Sequence, residues 1–335
     1  MAESLEKLLE YSLQIGATDL ILAEGLQPAV RMAGLVRAIP DAPGLSFGDL
    51  EKFLGNLDGE NGMFRGGPWC GVEWRVRYSR EAFGMMALLH PIGSLAPALN
   101  SLSVPDSVRS LLGAGSGLLL FSGPTSCGKT TTASAYVSEL CSQRVLRAGF
   151  LDAFPEYGIN EGMCLVHHRR KDVLLSDEID QGIRFGTDLF WLGDLDTEFL
   201  IPALRAAESG ALVVATVNAG SAKDVLSYLS AAEKMENKKL SRTLLAANLK
   251  AIVSEHLLLA QDGSCLIPAW EVLYNDTNVS QLIESGEYHR ILQAMRSAVS
   301  EGMLPLDDSL AELVREKRIS RESARVYALD ESRFV

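Results

Sequence analysis

Leu118-Leu119-Leu120-Phe121-Ser122-Gly123-Pro124-Thr125-Ser126-Cys127-Gly128-Lys129-Thr130-Thr131-Thr132 is the stretch whose reading decides the fold. An apolar strand, Leu118 to Ser122, runs into the spacing G-x-x-x-x-G-K-T, and a helical pattern from Thr131 to Leu140 follows. This is the strand, loop and helix order of a phosphate-binding loop. Gly123 and Gly128 permit the tight turn that aims amide N–H groups and a helix N-terminus at one point. Lys129 supplies a positive charge to the β- and γ-phosphates, and the hydroxyl of Thr130 is placed to meet Mg²⁺. The expected nucleotide site is therefore Gly123, Pro124, Thr125, Ser126, Cys127, Gly128, Lys129, Thr130 and Thr131, with ATP as ligand and Mg²⁺ as its ion.

Outward from the loop, strand-like apolar runs alternate with helical patterns, which argues for a parallel sheet covered by helices. Gly149 to Asp152, Leu189 to Leu192 and Leu212 to Val217 read as further buried strands. Hydrolysis needs an acid at the end of a neighbouring strand, to hold the metal's water or orient the attacking one. Asp194 ends the Leu189 to Leu192 run and is the candidate, whereas Asp188 begins it and reads as a turn residue. Asp152 and Glu156 follow the Gly149 strand, either to position water or Mg²⁺ or as a solvated acidic loop. The run His167-His168-Arg169-Arg170-Lys171 reads either as a phosphate contact or as a solvated charged face.

The chain has 335 residues, enough for two cores, and its 47% hydrophobic and 22% charged composition predicts folding throughout. Lys plus Arg number 31 against 43 Asp plus Glu, a net charge of −12, so no general surface for nucleic acid or anionic lipid is expected. The segment Met1 to Glu10 lacks the pattern of a signal peptide and no long apolar run occurs, so a cytoplasmic location is expected. The five cysteines are scattered without a C-x-x-C pair and read as free thiols. Upstream, Ser4 can cap a first helix carrying Leu5, Leu8, Leu9 and Leu13. Strands are expected at Leu20 to Leu22, Ala29 to Met32 and Val72 to Tyr78, giving an α+β first part. From Ser94 to Val108, Pro97 and Pro105 mark a domain boundary. Past Asp308, Leu310, Leu313, Val314, Ala324 and Val326 suggest two short helices packing on the body.

With these landmarks in place, the chain resembles the retraction motors of type IV pili, the PilT-like branch of the type II/IV secretion ATPases. Ala17-Thr18-Asp19-Leu20 with Gly25, Pro28, Arg31 and Gly34 is similar to that family's A-S-D-L-H-x-x-x-G-x-P-P-x-x-R-x-x-G segment, with Ile21 at the family's His. Val76-Arg77-Tyr78 lies where the family has an arginine-bearing strand. Gly123 to Thr132 resembles G-P-T-G-S-G-K-S-T-T, and Leu151 to Tyr157 falls on the acidic box, Asp152 replacing its first Glu and Glu156 matching its second. Arg169 takes the place of the arginine in Q-R-E-V-G. Leu192-Gly193-Asp194-Leu195-Asp196 stands on V-G-E-M-R-D, with Asp194 at the catalytic Glu and Asp196 at the Arg. Ala206 to Ala211 follows A-A-E-T-G-H, Ala215 to Asn218 follows G-T-L-H, and Asn278 to Ile283 replaces A-I-R-N-L-I without its arginine. Ile319 to Ala324 resembles I-S-R-E-N-A.

The resemblance implies an α/β fold: a PAS-like N-terminal domain over 1–100, a linker at 101–110, and a RecA-like P-loop ATPase domain with C-terminal helices over 111–335. It implies a motor ATPase of pilus retraction or secretion, with catalytic residues Asp194, Asp152, Glu156 and Arg169. It also implies a homo-hexamer beneath an inner-membrane platform protein, peripheral at that membrane. Departures at Asp194, Asp196, Ala211, Asn218 and Ser280 keep a second reading open: a hydrolysis-impaired regulatory subunit in a mixed hexamer with an active paralogous ATPase. Nucleic acid is not an expected partner.

Overall fold

Residues 2–32, 35–55, 57, 59–81, 84–93, 95–170, 173–231 and 238–335 are described by the computed structural model. Met1, Gly34, Ser94 and Lys171, and the capping side chain of Ser4, lie outside the described residues. The chain divides into two units, Met1–Leu95 with Phe154–Gly158, and Ala96–Ala153 with Ile159–Val335.

The first unit is an antiparallel sheet of β1 (Asp19–Ala23), β2 (Ala29–Met32), β3 (Leu35–Ala38), β4 (Asn61–Trp69), β5 (Val72–Glu81) and β6 (Gly84–Pro91), in the order β3-β2-β1-β6-β5-β4. The expected strands all form, and Trp74, Val76 and Tyr78 turn inward as their alternation requires. They pack with Leu20, Leu22 and Leu89 under Leu5, Leu8 and Leu9 of the helix Ala2–Gln14. A second helix, Phe47–Leu54, starts from a capping box in which Ser46 and Asp49 bond each other's backbone N–H.

The second unit carries β7 (Gly117–Ser122), β8 (Arg147–Phe150), β9 (Leu165–His168), β10 (Leu189–Asp194), β11 (Leu212–Val217), β12 (Leu249–Leu259) and β13 (Leu266–Tyr274). Their order is β13-β12-β7-β11-β10-β8-β9, and every neighbouring pair is parallel except β12 with β13. The continuous apolar runs are explained by burial on both faces. Leu118, Leu120, Phe190, Leu192, Val213 and Ala215 meet the helices Leu175–Arg184, Leu200–Glu208 and Ala222–Ala231 on one side. Leu119, Phe121, Leu189, Trp191, Leu212 and Val214 meet Tyr136, Val137 and Leu140 of the helix Lys129–Gln143 on the other.

Three local departures from the sequence reading have physical causes. The strand expected at Gly149 to Asp152 begins earlier, at Arg147, and only the backbone of Leu151 prolongs it, donating to the Trp191 carbonyl at 2.7 Å. The stretch 101–110 belongs to the second unit, where Val104 and Val108 are buried on the face shared with Tyr136. The tail forms the helices Leu306–Arg315 and Arg321–Tyr327, which bury Leu310, Leu313 and Ala324, but Val326 is 78% exposed on the outer face.

Glu271 of β13 ties this unit together from inside. It is fully buried and accepts from the Ala222 N–H at 2.6 Å and from the Ser254 hydroxyl at 3.2 Å, while Ser254 accepts from Ser122 at 2.8 Å. Burial pushes its carboxyl up to about 7 from 4.5. A folded value above the unfolded one means that its stabilising contribution is whole below the unfolded value and is lost as pH rises through about 7. Glu271→Gln keeps an acceptor for both donors and removes the titration. The melting temperature of Glu271→Gln is expected to fall less than that of the wild type between about pH 5 and pH 8 by scanning calorimetry, and equal falls would place the pH dependence in other groups.

Candidate functional site

At the end of β7 the main chain turns through three left-handed residues, Gly123 at φ +152°, Ser126 at +64° and Gly128 at +102°. Gly128 also caps the helix Lys129–Gln143 without any side-chain cap, so its first-turn amides are left for a ligand. Both glycines are required by contact as well as by φ. A Cβ on Gly123 would stand 2.4 Å from the Glu255 carbonyl oxygen and 2.3 Å from Cys127 Sγ, and one on Gly128 would stand 2.5 Å from Glu255 Oε1. Burial pushes the Cys127 thiol up to about 11, so it packs as a neutral group.

Glu255 was not singled out by the sequence. It lies in β12, buried beneath the loop, and accepts a hydrogen bond from Thr132 Oγ1 at 2.8 Å. Burial raises its carboxyl to about 8, against the pull of Thr132 and of the Lys129 charge. Ser254, Glu255 and His256 interrupt the apolar run of β12, but only strand order puts Glu255 under the loop.

The acidic candidates gather at the carboxyl ends of neighbouring strands, where ligands bind in open parallel sheets. Asp194 ends β10, but β10 is not adjacent to β7, because β11 runs between them. Thr216 of β11 bridges that gap, donating to Asp194 Oδ1 at 2.5 Å. The left-handed Gly193, at φ +68°, holds its Cα against Asp152, since a Cβ there would lie 2.5 Å from the carboxyl carbon. Arg169 donates to the Leu151 carbonyl at 3.4 Å, and Asp152, Arg169 and Asp194 all lie at the carboxyl ends of β8, β9 and β10.

Glu156 is placed differently. It belongs to the first unit, where it pairs with Arg75 and stands 4.0 Å from His90 Nε2. His90 Nδ1 meets Asp19 at 3.1 Å and Arg31 meets the same carboxyl at 3.2 Å. Burial raises the Asp19 carboxyl, but the His90 and Thr18 hydrogen bonds and the Arg31 charge together hold it below its ordinary value. The basic run also divides. Arg170 is tied to the buried Glu178 and to Gln181, and His168 meets Glu161 at 3.0 Å, whereas Arg169 donates to the Leu151 carbonyl. Asp188 accepts from the Arg147 N–H at 2.9 Å, joining the start of β10 to that of β8 and not closing a local turn.

The sequence profile of the family described as "Type II/IV secretion system protein" matches residues 100–333. The chain belongs to the type II/IV secretion system protein family. It is 28% identical over 95% of its length to 96% of the "Type IV pilus retractation ATPase PilT" of Pseudomonas aeruginosa. It is 26% identical over 96% of its length to 88% of the "Type IV pilus ATPase PilU" of the same organism. Among solved structures, "Crystal Structure of the Pilus Retraction Motor PilT and Bound ADP" superposes with a TM-score of 0.77 at 23% identity, covering 98% of both chains. The fold class is therefore the expected one, an α/β RecA-like P-loop unit after a smaller α+β, PAS-like unit.

Within this family, the positions where the chain departs from the resembled motifs are not equivalent. Asp196 and Asn218 are exposed just beyond the carboxyl ends of β10 and β11, on the side of the loop. Ala211 precedes β11 at the opposite end, buried, with its carbonyl accepting from the Gly117 N–H. Ser280 bonds the Ala246 carbonyl at 3.1 Å on a helix.

The contact at Gly123 can be measured directly. Gly123→Ala is expected to lower the unfolding free energy by on the order of 1–3 kcal/mol, because it forces a left-handed Cβ into the Glu255 carbonyl. Urea denaturation measures it, and a change within a few tenths would show that β12 is free to yield.

Proposed function

We propose that this chain is a motor ATPase of the type IV pilus retraction or type II/IV secretion class, coupling Mg–ATP hydrolysis to the movement of a pilus or secretion machine. The observation that carries the reading is the loop itself. Three left-handed residues and an uncapped 15-residue helix N-terminus form an anion cradle next to the buried Lys129. The printed names of the relatives, a pilus retraction ATPase and a pilus ATPase, support the machine class.

The donor set fits a nucleotide polyphosphate with a hard divalent cation. Gly123 and Pro124 open the turn, the backbone N–H groups of Thr125, Ser126, Cys127 and Gly128 are the donors for the phosphates, Lys129 offsets their charge, and Thr130 and Thr131 present hydroxyls, that of Thr130 to Mg²⁺. When bound, Mg²⁺ neutralises charge that develops on the phosphates. Asp194, fixed by Thr216, orients the attacking water. Asp152 and Arg169 flank it, and Glu156, paired with Arg75, is the remaining candidate of the proposed catalytic set. Family membership supports assembly into a hexamer under an inner-membrane platform protein. No helix among the described residues is long and apolar enough to cross a membrane, which agrees with a cytoplasmic, peripheral position.

A second reading, a regulatory subunit that binds nucleotide within a mixed hexamer, is favoured by Asp194 itself. Its carboxylate is about one methylene shorter than a glutamate and is engaged by Thr216. A displacement of about 1 Å costs on the order of a hundredfold in rate. Steady-state phosphate release with Mg–ATP separates the readings. The motor reading expects turnover well above that of Lys129→Ala, and turnover no higher than Lys129→Ala with intact ATP binding would leave the regulatory subunit. Asp194→Glu is expected to raise turnover by roughly tenfold to a hundredfold.

A further inference from the structure

A buried carboxyl lies directly beneath the phosphate loop, and the proposed chemistry does not use it. Glu255 is 5% exposed, and β12 lies parallel to β7 with Ser254 opposite Ser122, one residue before the loop begins. Its Oε1 approaches Gly128 so closely that a Cβ there would stand 2.5 Å away, and its own carbonyl presses on Gly123 in the same manner. Its Oε2 accepts from Thr132, which lies three residues after Lys129 in the same helix. The titratable groups facing it are Lys129 and Cys127, and the thiol of Cys127, pushed up to about 11, stays neutral. Lys129 is thus the charge that Glu255 meets.

We propose that Glu255 sets the affinity of the phosphate loop for nucleotide through its own protonation: neutral, it leaves the charge of Lys129 to the phosphates, and ionised, it competes for that charge and repels them. The proposal rests on the nucleotide-site reading above. A polyphosphate on one side of the loop and a carboxylate on the other are like charges separated by little more than a main-chain layer, in a region closed to water. Each therefore disfavours the other, and linkage makes the effect reciprocal. Nucleotide bound at alkaline pH must bring a proton onto Glu255. With the carboxyl already raised to about 8 by burial, the transition falls in a range open to measurement.

The test is isothermal titration calorimetry of the full chain with Mg–ADP from about pH 6.5 to pH 9, in buffers of different ionisation enthalpy. Glu255→Gln keeps the shape and the acceptor for Thr132 while removing the charge. Wild-type affinity is expected to fall on the order of tenfold across the range, with proton uptake on its alkaline side. Glu255→Gln is expected to retain only the nucleotide's own shallow titration and to show no additional uptake. Thr132→Val removes a hydrogen bond that favours the ionised form, so the midpoint of the affinity loss is expected to move to higher pH. Equal pH dependence in wild type and Glu255→Gln, or an unmoved midpoint in Thr132→Val, overturns the proposal while the nucleotide site stands. Failure of all three proteins to bind Mg–ADP at any pH overturns both.

Discussion

The contact between β12 and the phosphate loop constrains the rest of the second unit. At Gly123 the loop's Cα rests on the Glu255 carbonyl, and at Gly128 it rests on the Glu255 side chain, so neither position has room for a Cβ. That approach requires β12 to lie beside β7, which in turn requires the chain to cross back over the sheet after β11. The polar tie from Ser122 to Ser254 to Glu271 and on to the Ala222 N–H then locks β7, β12, β13 and the helix after β11 in one arrangement. A buried network of this kind holds position only when each member is satisfied. Here each named donor has its acceptor.

What could be read from the sequence was what is local in the chain. The strand, loop and helix around Gly123 to Thr130 are consecutive, and Asp194 announces itself by ending an apolar run. The alternation at Trp74, Val76 and Tyr78 needed only the period of a strand. Glu255 escaped because it lies 123 residues from Thr132, the side chain that bonds it. The surroundings of Glu156 escaped for a related reason. Pro155 and Glu156 look continuous with Asp152, yet Phe154–Gly158 belongs to the first unit, where Glu156 pairs with Arg75. Arg169 and Arg170 were one charged run on paper. Just beyond the end of β9, one reaches the Leu151 carbonyl and the other Glu178.

The same reasoning changes what the departures from the family motifs mean. Ala211 and Asn218 bracket β11, but a parallel strand has a loop-bearing end and a far end, and only Asn218 is on the former. Ala211 sits beside the start of β7, a whole strand from the phosphate loop, where a small apolar residue fills a packed site. Counting altered motifs would weigh the two alike. Sheet geometry leaves Asp194, Asp196 and Asn218 as the changes at the loop-bearing end of the sheet.

The phosphate loop and the acidic cluster are built from separate strands in this fold. The cradle is made by β7, its helix and the Glu255 wedge of β12, whereas Asp152, Arg169 and Asp194 hang from β8, β9 and β10. Between the two sets runs β11, and Thr216 is its contact with Asp194. A shortened carboxylate at Asp194 can be reached and held by that threonine without disturbing the loop, since the loop leans on the opposite neighbour of β7. Substitution on one side of β11 therefore leaves the packing of the other side intact, which is how a chain can keep the contacts of its phosphate loop while the acidic edge of the sheet diverges.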